Sequence, residues 1–258
     1  KKLKVLCQQS TGFMQEEMTA WGRSFISNNH DFIFFDINKK PIFDAFYEKT
    51  PDLFIVHREE ADRKIPVLAE KYPKCKFALL ELSHYEKRAY DFQNLFYISY
   101  LNDITPCYDP FVYMKAEPDT KYSSEVNCIL SESNKEYLYL SNYFNIKIFG
   151  KGDWNIVNYV GDVAERDKKH IVSSCQYSVC GSGIKDFKWF VECMASHKYC
   201  FAYKNKFVAD KFGIDFCFDH PKELIINIEN EDKIRNDIID NYSSHKQIAK
   251  LLDKVFNV

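Results

Sequence analysis

VGDVAERDKKHIVSSCQYSVCGSGIKDFKWFVECMASHKYCF, residues 160–201, is the stretch whose reading decides the fold. At its centre Gln176 and Ser178 alternate with Tyr177 and Val179, the pattern of a half-buried strand. Gly181-Ser182-Gly183 breaks that strand, and Ile184, Phe187, Val191, Met194 and Ala195 then recur at helical spacing. A tight turn at Gly161-Asp162 and a helix precede this unit, and a strand at residues 199–203 follows it. A strand, a glycine turn and a helix start together form an anion site. The first N–H groups of a helix have no partner within it and carry the positive end of its dipole, so a diphosphate is expected beside Gly183 and Ile184.

Working outward, the same alternation extends in both directions. Upstream lie a strand at 126–130, a helix at 135–143 and a strand at 146–149 that ends in Gly150-Lys151-Gly152. Downstream lie a helix near 207–212, a short strand at 215–218 and helices from about 221. The first half repeats the scheme, with strands at 4–9, 31–36, 52–57, 76–82 and 95–100 and helices at 15–28, from 41 and at 61–71. Continuous apolar strands separated by helices imply parallel sheets covered on both faces. The expected fold class is therefore α/β, with two Rossmann-like doubly wound domains facing each other across a cleft. Periodicity lapses over residues 101–124, which hold three of the eight prolines. The domains are placed at 1–115 and 116–244. Residues 245–258 form a last helix whose apolar face, Ile248, Leu251, Leu252 and Val255, calls for burial against the first domain.

In such sheets functional groups gather at the carboxyl ends of the strands. In the first domain those ends carry Ser10, Thr11 and Gly12, then Asp36, then His57 and Glu59. The glycine gives a tight first turn that admits a ligand to the backbone, and the histidine and carboxylates are candidate catalytic groups.

Composition narrows the class. The 258 residues are 46% apolar and 16% aromatic, enough for two cores, and carry a formal net charge of -2 with a pI near 6.4. That balance gives no global attraction to nucleic acid or anionic lipid. No apolar run approaches the ~20 residues of a membrane span. The opening KKLKVLCQQS enters a strand directly, without the apolar region of a signal peptide. Nine cysteines without a CxxC pair read as buried thiols in a reducing compartment, so the cytoplasm (a host's, if the chain is viral) is the expected location. Their wide spacing gives no zinc site. The loop QQSTGFMQ is not GxGxxG, which removes the dinucleotide fingerprint. A composition rich in lysine, asparagine, isoleucine and phenylalanine suggests an AT-rich genome, viral or low-GC bacterial.

IKIFGKGDW, then NYVGDV, then KWFVECMASHKYCF resemble the C-terminal half of GT-B fold glycosyltransferases of group 1 type, especially their spore-maturation-protein-like branch. The resemblance covers residues 124–258. It implies a nucleotide-sugar donor, UDP- or GDP-linked, on the second domain, an acceptor on the first, and transfer to a glycan, protein or small-molecule hydroxyl without a metal or other cofactor. It places Glu192 on the donor ribose, the backbone of Val163 on the base, and Gly181, Ser182 and Gly183 on the diphosphate, with Gly150, Lys151 and Lys188 nearby. Three positions depart from the family pattern: Ile184 and Trp189 replace a glutamate and an arginine, and His197 replaces a glycine. Two alternatives stay open. One is a phage-type enzyme acting on DNA bases, with Lys39, Lys40, Arg58, Arg63 and Lys64 as its basic face; the other is a non-catalytic nucleotide- or glycan-binding relative.

Overall fold

The structure, a computed structural model, describes residues 1–57, 63–81, 90–100, 102–130, 140–150, 158–196, 198–213, 216–219 and 231–257. The chain divides into two units, Lys1–Pro106 with Ser244–Val258, and Cys107–Ser243.

Unit 1 runs β1 (Lys4–Gln8), α1 (Phe13–Ser27), β2 (Asp31–Phe35), α2 (Ile42–Lys49), β3 (Leu53–His57), α3 (Ile65–Lys71), β4 (Lys76–Glu81) and β5 (Leu95–Ser99). Its strands form one parallel sheet in the order β2-β1-β3-β4-β5. Apolar residues in β3, Leu53 to Val56, are buried whichever face they point to, as a sheet covered on both sides requires. On one face Met14, Met18, Trp21 and Phe25 of α1 repeat at helical spacing and are all buried. Gly22 admits the close approach of α1 to β2, because a Cβ there would lie 3.0 Å from the Phe32 ring. On the other face Phe46 of α2 packs among Phe54, Tyr72 and Phe77 at ring separations of 5.7, 4.9 and 5.7 Å.

Unit 2 runs β6 (Ser124–Leu130), β7 (Ile146–Gly150), β8 (Tyr159–Gly161), α4 (Glu165–Ser173), β9 (Cys175–Cys180), α5 (Ile184–Ala195), β10 (Tyr199–Tyr203), α6 (Lys206–Phe212), β11 (Cys217–Phe218) and α7 (Glu231–Asn241). Its sheet is again parallel, in the order β11-β10-β9-β6-β7-β8. Residues 107–113 are tied into this unit. Tyr108 bridges to Ser243, its backbone N–H donates to Tyr242 O at 3.1 Å, and its hydroxyl donates to Ile239 O at 2.9 Å. The division therefore falls after Pro106 and not at the expected 115, because these bonds outweigh the irregular, proline-marked local sequence.

The last helix, α8 (Ser244–Phe256), belongs to unit 1. It packs on α1 through buried Ile248, Leu251 and Val255, and Ser24 Oγ and Ser244 Oγ share a buried hydrogen bond of 2.6 Å. Gln247 Oε1 accepts from the Thr105 N–H at 3.0 Å, and Lys254 pairs with Asp103. All nine cysteines are free, and all but Cys217 are buried. Among the described residues no helix is long and apolar enough to cross a membrane.

Phe46 is 1% exposed at the centre of the aromatic cluster. Phe46→Ala is expected to lower unfolding free energy in urea by about 3–5 kcal/mol, and Phe46→Leu by less than half of that. A loss below about 1 kcal/mol for the alanine variant would mean that the cluster is not a packed core.

Candidate functional site

In each sheet the strand order reverses at one place, and the crevice outside the carboxyl ends there is where α/β sheets bind ligands. In unit 2 the reversal lies between β6 and β9. The carboxyl end of β9 is followed directly by Gly181-Ser182-Gly183, so the glycine turn stands at the switch point. Asn205, 1% exposed, fixes that turn from the next loop. Its amide Nδ2 donates to Gly181 O at 2.6 Å and to Gly183 O at 3.2 Å, while its Oδ1 accepts from the Val208 N–H and caps α6. Ser182 is exposed, and Lys185 is exposed on the first turn of α5.

The head of α5 carries an anion of its own. Asp186, buried, accepts from the Gly183 N–H through Oδ2 at 2.9 Å. This carboxylate takes up the first orphan donor of the helix and answers its dipole. A phosphate placed against it meets repulsion of about 4 kcal/mol per unit charge at 4 Å and an effective dielectric of 20. At the expected diphosphate position beside Gly183 the structure therefore places a carboxylate of the chain itself.

Lys188 stands further along the same helix. It is 3% exposed, its Nζ lies 2.9 Å from Glu192 Oε1, and it donates to Cys107 O at 2.8 Å. Glu192 is 2% exposed. Both side chains were expected at the donor, and both are turned inward because α5 is buried on every side from Asp186 to Ala195. Phe187 and Phe190 pack on Phe212, while Trp189 Nε1 donates to Ser178 Oγ at 3.0 Å. Residues 107–115 and α7 cover the remainder, with Ser196 Oγ donating to Tyr113 O at 3.2 Å. Two charges so enclosed are retained only as a pair. In this arrangement the Glu192 carboxylate is engaged by Lys188, and among the described residues Lys185 is an exposed lysine beside the turn.

The other donor positions are spread along the sheet. Gly150 ends β7 next to β6, and its carbonyl accepts from Tyr159 Oη at 2.7 Å. Val163 packs against Tyr122, Phe149 and Ile171, and its N–H donates to Asp162 Oδ1 at 2.9 Å, so the N–H expected for a base is engaged within its own turn. Lys151 and His197 lie outside the described residues.

In unit 1 the order reverses between β1 and β3. The carboxyl ends of those two strands bring Ser10 and His57 together: Ser10 Oγ is hydrogen-bonded to His57 Nε2. Two glutamines hold the pair. Gln8 Oε1 accepts from the His57 backbone N–H at 3.0 Å, and Gln15 Oε1 accepts from the Ser10 backbone N–H at 3.1 Å. Gly12 has φ +61°, the left-handed region open to glycine, and starts α1 without a side-chain cap; Thr11 beside it is exposed. Asp36 does not join this group. It sits at the end of β2 with β1 between it and β3, two strand spacings or about 10 Å from His57. Its Oδ1 accepts from the Asn38 N–H at 3.0 Å and its Oδ2 lies 3.6 Å from Lys39 Nζ, so it shapes a turn. Glu59 lies outside the described residues.

Asn205, Asp186, Lys185 and Gln15, which the structure places at the two candidate sites, are absent from the sequence-derived candidates. Asparagine just before a helix and an acid at the third helical position are capping signals, so the first two were readable. Gln15 carries no such signal. Among the described residues no group of three His, Cys, Asp or Glu side chains is placed to hold a metal ion.

No family model matches the chain, and no curated protein sequence matches it. Among solved structures it is similar to the glycosyltransferase SnogD from Streptomyces nogalater, with a TM-score of 0.56 at 9% identity over 98% of this chain and 99% of that one. It is similar to the calicheamicin glycosyltransferase CalG4, with a TM-score of 0.51 at 8% identity over 99% and 97% of the two chains. A third, assigned as a UDP-N-acetylglucosamine 2-epimerase of Listeria monocytogenes, gives a TM-score of 0.51 at 9% identity over 96% and 91%. At these identities the likeness is one of fold: two Rossmann-like domains of the GT-B kind.

Breaking one side of the buried pair leaves the other charge unanswered. Lys188→Met is expected to lose about 3–5 kcal/mol in a denaturation titration, and the double variant Lys188→Met/Glu192→Leu to recover most of that loss. Equal losses in both variants would show that the pair is not closed in solution.

Proposed function

We propose that this chain moves a sugar from a nucleoside-diphosphate donor to an acceptor hydroxyl, with the donor on unit 2 and the acceptor on unit 1. The observation that carries the reading is the pair of switch points. The Gly181–Gly183 turn stands at one, and Ser10, Thr11 and Gly12 with His57 stand at the other.

The chemistry follows from charge. As the bond between the sugar and the diphosphate breaks, the leaving group gains negative charge, and groups that meet this gain lower the barrier. Lys185 and the Ser182 hydroxyl, both exposed at the turn, serve that purpose, and the Asn205 clamp keeps Gly181 and Gly183 in place while they do. The reading is of metal-independent transfer from a UDP- or GDP-sugar. In unit 1 an acceptor hydroxyl that reaches Ser10 Oγ passes its proton through it to His57 Nε2, which makes His57 the base. Nine free cysteines support a reducing compartment such as the cytoplasm.

Of the basic face expected for a DNA acceptor, Lys39 lies against Asp36 and Lys40 pairs with Glu48, and Arg58 lies outside the described residues, so no described observation favours that alternative. The reading of a non-catalytic nucleotide-binding relative has one observation in its favour, the enclosure of Glu192.

The test is a thermal-shift series with UDP, GDP and TDP and their sugars. A ligand at 100 times its Kd adds about 2.7 kcal/mol to the folded state, so one nucleotide is expected to raise Tm and Lys185→Glu to cancel that rise. With the matching donor and a hydroxyl acceptor, release of the nucleoside diphosphate is expected to fall about 10²–10⁴-fold in His57→Gln. Absence of any shift sinks the donor site. A shift without turnover moves the reading to the non-catalytic relative.

A further inference from the structure

The Ser10–His57 contact has a chemistry independent of any sugar. A serine hydroxyl is a weak nucleophile until a base within hydrogen-bond reach accepts its proton. Here the base already lies on the hydroxyl, through Nε2. The geometry of the contact is held from both sides of the sheet reversal. Gln8, 3% exposed, fixes the His57 backbone, and Gln15 fixes the Ser10 backbone. Both residues of the pair are only half-buried, so small molecules reach them. Immediately beyond them α1 begins at Gly12 with no side-chain cap, and the first N–H groups of a helix are the kind of donor that stabilises a developing oxyanion.

We propose that Ser10 and His57 form a nucleophile–base dyad that accepts acyl groups from small esters with good leaving groups. Ser10 Oγ attacks the ester carbonyl carbon and its proton moves to His57 Nε2. The tetrahedral oxyanion faces the first turn of α1. The ester C–O bond breaks, the leaving oxygen carries off the electron pair, and Nε2 returns the proton to it. Water then attacks the acyl carbon, its proton passes to Nε2 and on to Ser10 Oγ, and the acid departs. No oxidant, metal or cosubstrate enters the balance. The activity lies within unit 1 and stands whether or not unit 2 binds a nucleotide.

The full chain is incubated with p-nitrophenyl acetate, nitrophenolate release is followed, and the protein is read by intact mass spectrometry and peptide mapping. The expected result is a burst of release, one acetyl adduct on the peptide containing Ser10, and no adduct in Ser10→Ala. His57→Gln is expected to slow acylation about 10²-fold or more. Circular dichroism establishes that each variant is folded. If Ser10→Ala does not fold, Ser10→Cys carries the test, with a thioester whose formation slows by the same factor when His57→Gln is added. Absence of an adduct, an adduct mapped to another residue, or an unchanged rate in His57→Gln overturns the dyad.

Discussion

Parallel strands cannot be joined by a hairpin, so each must be followed by a crossover that returns the chain to the same edge of the sheet. From this constraint the rest of the molecule follows. The first strand of each unit lies inside its sheet, β1 between β2 and β3 and β6 between β7 and β9. Crossovers therefore run first to one side and then to the other. The turns after strands on the two sides diverge, and the gap between them is a concavity that no side chain had to be selected to create. Both candidate sites occupy such gaps.

What fills the two gaps differs in kind. In unit 2 the backbone is held open by a neutral amide, Asn205, and the helix behind it is answered by Asp186 from its own first turn. The local electrostatics are largely answered within the unit, and Lys185 is exposed beside the turn. In unit 1 α1 starts at Gly12 without a side-chain cap, and the polar groups at the gap, Ser10 and His57, hold each other. On the proposed reading one site recognises charge and the other moves protons. That division of labour suits a fold shared by proteins of different chemistry, because the reaction resides in these few groups and the sheets serve only to carry them.

Much of the architecture was legible in the sequence because it rests on local signals. Glycine punctuation at 181–183, apolar strands such as residues 53–56, and the face Ile248, Leu251 and Val255 of the last helix are each decided by neighbours within a few residues. Ser10, Gly12 and His57 were legible as strand-end groups, though their mutual contact was not, since it joins residues 47 positions apart. The enclosure of Lys188 and Glu192 was illegible for the same reason. Lys188 and Glu192 look solvated on a helix whose apolar face is plain, and only the return of residues 107–115 and α7 over the other side encloses them. A lysine's environment is a property of distant chain, and no window around position 188 contains it. The turn at Asp36 was the opposite case: Asp36 with Asn38 two residues on is a local signature that the candidate role as a catalytic acid obscured.

The position of α8 bears on how the molecule is made. Unit 1 is discontinuous in sequence, since Ser244–Phe256, which follow unit 2, cover α1 through Ser24 and its neighbours. While the ribosome is still adding unit 2, the face of α1 that carries Ser24 has no cover. Unit 2 is continuous from Cys107 to Ser243 and completes its contacts first. The vectorial order of domain maturation, normally from the amino terminus onward, is inverted here: the unit begun first stays unfinished until Ser244–Phe256, made after unit 2, can pack on α1.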